Sequence, residues 1–300
     1  MKIQHIFHAL VLTAALMPVA GCSSDEPDTS KSVITTSNTE KNDFDLWLDE
    51  NFVKPYNIDF KYRYEDIEGD YDYYLVPARY DDAITMAHLV KYLCIETYNE
   101  VAGVDFTCSY FPKMFFTVGE WEYNNNHSIV LGTSEGGRKI FLAGLNYLSR
   151  YIKSETLLNE FYFKTIHHEF VHVLNQKKSI PTAFQAVTSD AYVAGMWNQE
   201  PYNTGYLTRG FVSDYAQESF GEDFAEVMSI YITNTPKAWE EKLELAGDDG
   251  KSLILTKLGI IREYLEENFK VDIDLLRDVL QQRQAEVVAG NVDLSDITVK

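Results

Sequence analysis

Three of the chain's seven histidines and one glutamate share the stretch "KTIHHEFVHVLNQ", residues 164–176. Within it, His168, Glu169 and His172 read His-Glu-x-x-His. On an α-helix, residues four apart lie one turn apart on the same face, so both imidazoles can reach one zinc ion. Glu169, about 100° round the helix, then stands beside a water carried by that ion, as a general base must. The competing reading is a core helix that merely contains histidines. Burying such polar rings without partners costs several kcal/mol, on the order of 2–7, which favours a metal. His167 points about 100° away from His168 and reads as a surface or supporting histidine.

A catalytic zinc takes three protein ligands and keeps one position open. No histidine follows His172 and all three cysteines precede it, so a third ligand further along the chain has to be a carboxylate. The extended motif with a third histidine fails, because Asn175 and Lys178 stand where it needs glycine and histidine. Downstream, "YAQESFGEDFAEV" offers Glu218, Glu222, Asp223 and Glu226. Glu222 and Glu226 fall one helical turn apart, opposite Phe224, Val227 and Met228. Glu222 is placed to bind the metal, and Glu226 to accept the second ring N–H of a ligand histidine, His168. Ser219-Phe220-Gly221-Glu222 also spells a capping box, in which Glu222 would only return to the helix start. Glu218 and Glu226 are the alternative ligands.

These groups need a helix beneath them, and the pattern from Ser154 through Gln176 is helical, with neither proline nor glycine inside it. After Ser219 nearly everything reads helical: "FGEDFAEVMSIYIT", then "PKAWEEKLELAG" with Thr235 as cap and Pro236 at the first position, then two more amphipathic segments. The stretch between, residues 179–211, is broken by Pro, Gly and Asn, with one helix expected near Ala191. Asn42 or Asp43 caps a helix through "FDLWLDENF" that Pro55 closes, and a long helix runs through "DDAITMAHLVKYLCIETYNEVAG" to Gly103. Strands are expected at "NIDFKYRYEDI", "YDYYLVP", "VDFTCSYFP", "MFFTVGEWEY", "SIVLGT" and "RKIFLAG". The acidic residues Asp66, Glu68, Asp70 and Asp72 read as a solvated turn rather than a calcium loop, since their glycine is misplaced for an EF-hand. Strands in the first half and helices in the second predict an α+β fold with a cleft where the halves meet.

Three hundred residues, 45% hydrophobic and 24% charged, suffice for a sizeable globular core. The net charge of −20 repels phosphate backbones and argues against a nucleic-acid partner. Lys2 followed by an apolar run from Ala9 to Ala20 describes a secretory signal, too short to span a membrane. The polar, aperiodic segment after it reads as a tether. Cys94 and Cys108 are left after Cys22, and a bridge or two thiols fit the spacing equally. The expected organisation is a signal peptide at 1–21, a tether at 22–42, an α/β subdomain at 43–176 ending in the His-Glu-x-x-His helix, and a mainly helical subdomain at 177–300.

"VAGC" resembles the lipobox of bacterial lipoproteins, which implies lipid on Cys22 and attachment to a membrane. "HEFVH", then "GFVSDYA" and "EDFAE" some fifty residues on, resemble the gluzincin metallopeptidases. More closely, the chain is similar to zinc metallohydrolase lipoproteins associated with substrate import across the outer membrane of Gram-negative bacteria. The resemblance covers lipobox, tether and most of the mature domain. It implies a zincin-like fold with a mixed sheet above the His-Glu-x-x-His helix, and Zn2+ held by His168, His172 and Glu222. Glu169 becomes the base, Glu226 supports a ligand, and Tyr215, seven residues before Glu222, matches a tyrosine that steadies the transition state in some toxin-like members. The expected activity is peptide hydrolysis by an outer-membrane lipoprotein on the cell surface or periplasmic face, working with an import complex and taking peptide or protein substrates. The peptide would lie along an edge strand, with "RKIFLAG" the candidate. The alternative from another class is a lipoprotein that captures peptide or glycan without cleaving it.

Overall fold

The first helix, α1, starts where the Asn42 side chain accepts from the Asp45 N–H while the Asp45 carboxylate returns to the Asn42 N–H, satisfying two donors at once. It runs from Asp43 to Leu48, widens by one residue over Asp49–Val53, and closes with Lys54–Tyr56, where Asn57 turns left-handed at φ 54°. Phe44, Trp47, Leu48 and Phe52 are its buried face. The computed structural model describes residues 40–68, 75–123, 129–130, 134–135 and 139–299, and residues 41–300 group as one unit. The expected signal peptide, Cys22, nearly all of the tether, and the acidic-turn residues Asp70 and Asp72 lie outside the described residues.

Strand β1 is only Asp59–Lys61, shorter than the expected run through Ile67. The Lys61 ammonium reaches back to Glu65 at 2.7 Å and Glu68 at 2.8 Å, and the chain curls into a 3₁₀ turn at Asp66–Glu68 instead of continuing in the sheet. Of "YDYYLVP" only residues 75–77 are described, and Pro77 makes an isolated bridge to Val118. The long helix α2 runs from Tyr80–Leu89 through a wide turn at Val90–Ile95 to Glu96–Ala102. Gly103, at φ 88°, ends it.

The next segment overturns an expectation. "VDFTCSYFP", read as a strand, is helix α3, Val104–Tyr110. Its aromatic and β-branched content suits a strand, but Phe106 packs on Tyr98, Phe170 and Phe269, and Tyr110 also meets Phe269, so burial at helical spacing decides. Strands β2 (Met114–Thr117), β3 (Glu122–Tyr123), β4 (Ile129–Val130), β5 (Ser134–Glu135) and β6 (Lys139–Leu142) follow. The main sheet has the order β1-β2-β6-β5, with the first three parallel and β5 antiparallel. Phe60, Phe115 and Ile140 stand in register across it. β6 is buried throughout, as a strand covered on both faces should be. "RKIFLAG" is therefore not an edge: β6 lies between β2 and β5, and the short β5 is the border strand.

After a short helix α4 (Leu148–Tyr151), helix α5 runs unbroken through Glu155–Leu158, a wide turn at Asn159–Phe163 and Lys164–Lys177. The broken stretch holds helix α6 at Thr182–Val187, earlier than expected, while the region near Ala191 has only a 3₁₀ turn at Ala194–Met196. Helices α7 (Phe220–Thr233), α8 (Pro236–Leu245), α9 (Gly247–Phe269) and α10 (Ile273–Val288) complete the chain, and Thr235 caps α8 as its sequence suggests. Every residue of α7 from Asp223 to Thr233 is buried, because α5, α9 and α10 all pack around it. The molecule is thus a mixed α/β fold, mostly helical with a small, largely parallel sheet. Cys94 and Cys108 are free thiols; Cys94 is buried and Cys108 donates to the Pro55 carbonyl. Among the described residues no helix is long and apolar enough to cross a membrane.

Candidate metal centre

The second half of α5 seats Ile166, Phe170, Val171 and Leu174 in the core, which fixes the rotation of the helix. Phe170 meets Phe111 edge-on, and Phe111 in turn touches Phe115 of β2. That rotation leaves His168, Glu169 and His172 on the opposing side, with the two imidazole rings 4.8 Å apart and nearly perpendicular. Across from them α7 begins at Ser219, whose hydroxyl oxygen accepts from the Glu222 N–H at 3.3 Å. Only this half of a capping box is present. The Glu222 carboxylate goes instead to the histidines, with Oε2 2.9 Å from His168 Nε2 and 3.3 Å from His172 Nε2, while the two Nε2 atoms are 3.1 Å apart.

Tetrahedral zinc with bonds of about 2.0–2.1 Å needs neighbouring ligand atoms roughly 3.3 Å apart. The observed triangle, with sides of 2.9, 3.1 and 3.3 Å, fits that requirement after a small expansion. Among the described residues this is the group of three that could hold a metal ion, and Glu218 is not in it.

Along residues 37–274 the chain matches a family described as "Putative zinc-binding metallo-peptidase". The chain belongs to that family. A crystal structure from Bacteroides caccae, given the same description, is 38% identical, covers 89% of this chain and 100% of its own, and superposes with a TM-score of 0.75. Curated proteins provide no match. Zinc is the metal of this family, and the two nitrogens and one carboxylate oxygen are a donor set that zinc accepts.

In this member of the family, His168 has a carboxylate on each ring nitrogen. Its Nδ1 lies 2.8 Å from Glu226 Oε1, a short but poorly aligned contact. Burial acts to lower its pKa, yet Glu222 and Glu226 together raise it to about 9. Burial likewise acts to raise both glutamates, and the surrounding cations win. Glu222 is held well below the usual carboxylate range by His168 and His172, and Glu226 at about 2 by Lys164, His168 and Ser213. Glu226 is 1% exposed, and three groups hold it: Lys164 Nζ at 3.1 Å, the Ser213 hydroxyl at 2.7 Å, and His168. Glu169 is partly exposed and close enough to raise the pKa of both His168 and Tyr215. Tyr215, on a 3₁₀ turn at Tyr215–Gln217, has its ring 6.0 Å from that of His168; burial first, then Glu222, pushes its hydroxyl pKa up.

His167 corrects an expectation. It is neither on the surface nor at the metal centre but fully buried, with Nδ1 2.9 Å from the Tyr98 hydroxyl, and burial lowers its pKa to about 3. The 100° that separates it from His168 turns it into the aromatic cluster of α2 and α3. Sequence reasoning missed Lys164 and Ser213. Lys164 did carry a signal, four residues before His168 on one helix face; Ser213 carried none. Trp197, which meets Tyr215 edge-on with ring centroids 5.1 Å apart, and the buried Lys257–Asp223 ion pair behind α7 were also invisible.

Proposed function

We propose that the protein is a zinc peptidase of the gluzincin type with a zincin-like fold, in which His168, His172 and Glu222 hold the ion. The observation that carries this reading is the convergence of these three side chains from two helices, within hydrogen-bonding distance of one another, beside a partly exposed glutamate. A zinc ion held there supplies Lewis acidity toward a peptide carbonyl and acidifies water. Glu169 takes the proton from the attacking water and returns it to the leaving amine. Tyr215 donates its hydroxyl proton, kept on by a raised pKa, toward the developing oxyanion. Glu226 keeps His168 in the tautomer that offers Nε2 to the metal.

For the chain's place in the cell, the lipobox resemblance at Cys22 and the resemblance to import-associated lipoproteins support one reading. The chain is a lipoprotein anchored through Cys22 to the outer membrane, on the cell surface or periplasmic face, where peptide cleavage serves nutrient uptake beside an import complex. Glu169→Gln tests the mechanism. The variant retains zinc by metal analysis and loses at least 10²–10⁴-fold in peptide turnover, the usual contribution of a general base. Turnover of a peptide library at parental rates by that variant removes Glu169 from the reaction.

A further inference from the structure

Beside the metal centre stands an aromatic wall made by the ring of Tyr215, whose hydroxyl serves the proposed reaction, and by Trp197, which neither holds zinc nor moves protons. Trp197 meets the ring of Tyr215 at 74°, and Tyr215 reaches to His168. Trp197 is only partly buried, and Met196 next to it is 49% exposed. Tyr192 and Phe211, from the same long connection, pack edge-on to each other, 5.5 Å apart; Phe211 is fully buried and Tyr192 largely so.

A rigid frame holds the indole at that position. The 3₁₀ turn before Trp197 opens with Ala194 at φ 47°, a left-handed conformation that an alanine keeps only where its surroundings impose it. The Val193 N–H donates to the Gln217 carbonyl at 2.8 Å, tying this turn to the one that carries Tyr215. Gln217 is fully buried; its amide donates to the carbonyls of Tyr202 and Asp214, and its side-chain oxygen accepts from Arg209. Arg209 also donates to the carbonyls of Tyr202 and Thr204. Trp197 and Tyr215 therefore sit on one hydrogen-bonded unit. A preformed apolar surface binds a side chain without first paying to order itself.

Resting on the peptidase reading above, we propose that Trp197 and Tyr215 wall a specificity subsite, and that the substrate side chain flanking the scissile bond on this side is aromatic or large aliphatic. The chemistry that recognises it is ring-on-ring and ring-on-alkyl contact, which discriminates a large apolar side chain from alanine by about tenfold.

The test uses the zinc-loaded protein and peptides that carry Ala, Leu, Phe or Arg on either side of one bond. kcat/KM is measured on the parent, and affinity by calorimetry on Glu169→Gln. Phe and Leu peptides are expected to exceed Ala and Arg peptides by about tenfold in both readouts. Trp197→Ala should bring that ratio close to one with zinc content unchanged, and Trp197→Phe should restore most of it. Equal losses on all peptides, an intact preference in Trp197→Ala, a preference for Arg, or no binding of any peptide each overturn the subsite. If nothing is cleaved yet binding shows the Trp197-dependent preference, hydrolysis fails and the subsite stands. If peptides are cleaved without preference, the subsite fails and hydrolysis stands.

Discussion

Glu226→Gln isolates the charge that the protein places behind the proposed metal centre. The carboxylate is 1% exposed and contacts His168 Nδ1 at 2.8 Å, so the glutamine keeps the volume and an acceptor oxygen but loses the full negative charge. A hydrogen bond to a charged group contributes about 1.5–3 kcal/mol and a neutral one about 0.5–1.5, so the substitution costs about 1–2 kcal/mol at the histidine. Through His168 that becomes a zinc dissociation constant raised roughly 5- to 30-fold, overlapping the 10–100-fold effect of removing the partner of a ligand histidine. The abandoned cation adds little, because Lys164 is 32% exposed and can turn to water. Zinc titration against a competing chelator measures the constant, and thermal melting of the metal-free variant checks that the fold survives. A constant within twofold of the parent refutes the reasoning, for Glu226 would then pass no charge to the metal through His168. A weaker constant accompanied by a collapsed melting temperature points to lost packing and counts against it too.

Two further predictions concern the scaffold. Lys257 and Asp223 are both 0% exposed, 2.6 Å apart, with the ammonium also donating to the Gly210 carbonyl at 2.8 Å and lying 4.0 Å from the Phe211 ring centre. Lys257→Met strands a buried carboxylate and is expected to cost about 3–5 kcal/mol in urea unfolding, with part of it recovered when Asp223→Asn is added; a loss below about 1 kcal/mol sinks this account. His88 packs on Trp47, and burial followed by the nearby Lys91 lowers its pKa from 6.5, against the opposing pull of Asp293 and Asp296. The folded form thus keeps His88 neutral where the unfolded chain protonates it, so its contribution is complete above pH 6.5 and is lost as pH falls below that value. Unfolding midpoints between pH 7.5 and pH 5.5 should fall less steeply in His88→Gln than in the parent; matching slopes would rule this out.

Much of the centre was legible in one dimension because helices carry their geometry in their spacing. His168 and His172 at i and i+4, and Glu222 and Glu226 at the same interval, define faces before anything folds. The shortage of other donors downstream of His172 limited the third ligand to a few acids. Hydrophobic periodicity also located α1, α2, α5 and the helices after Ser219. Local patterns misled wherever the same residues suit two environments: "VDFTCSYFP" has the composition of a strand, and only the rings of Tyr98, Phe170 and Phe269 make it a helix.

By itself, then, the sequence determined the candidate metal-binding residue types, their helical phase and the segments able to carry them, since these depend on covalent neighbours and a repeat of 3.6 residues. Tertiary structure alone decided that Glu222 turns to the histidines rather than to its own helix start. It also put Lys164 and Ser213 behind Glu226, enclosed β6, buried His167 and held Trp197 against Tyr215. Each of those outcomes joins groups far apart along the chain through distance and burial, which no local spacing encodes.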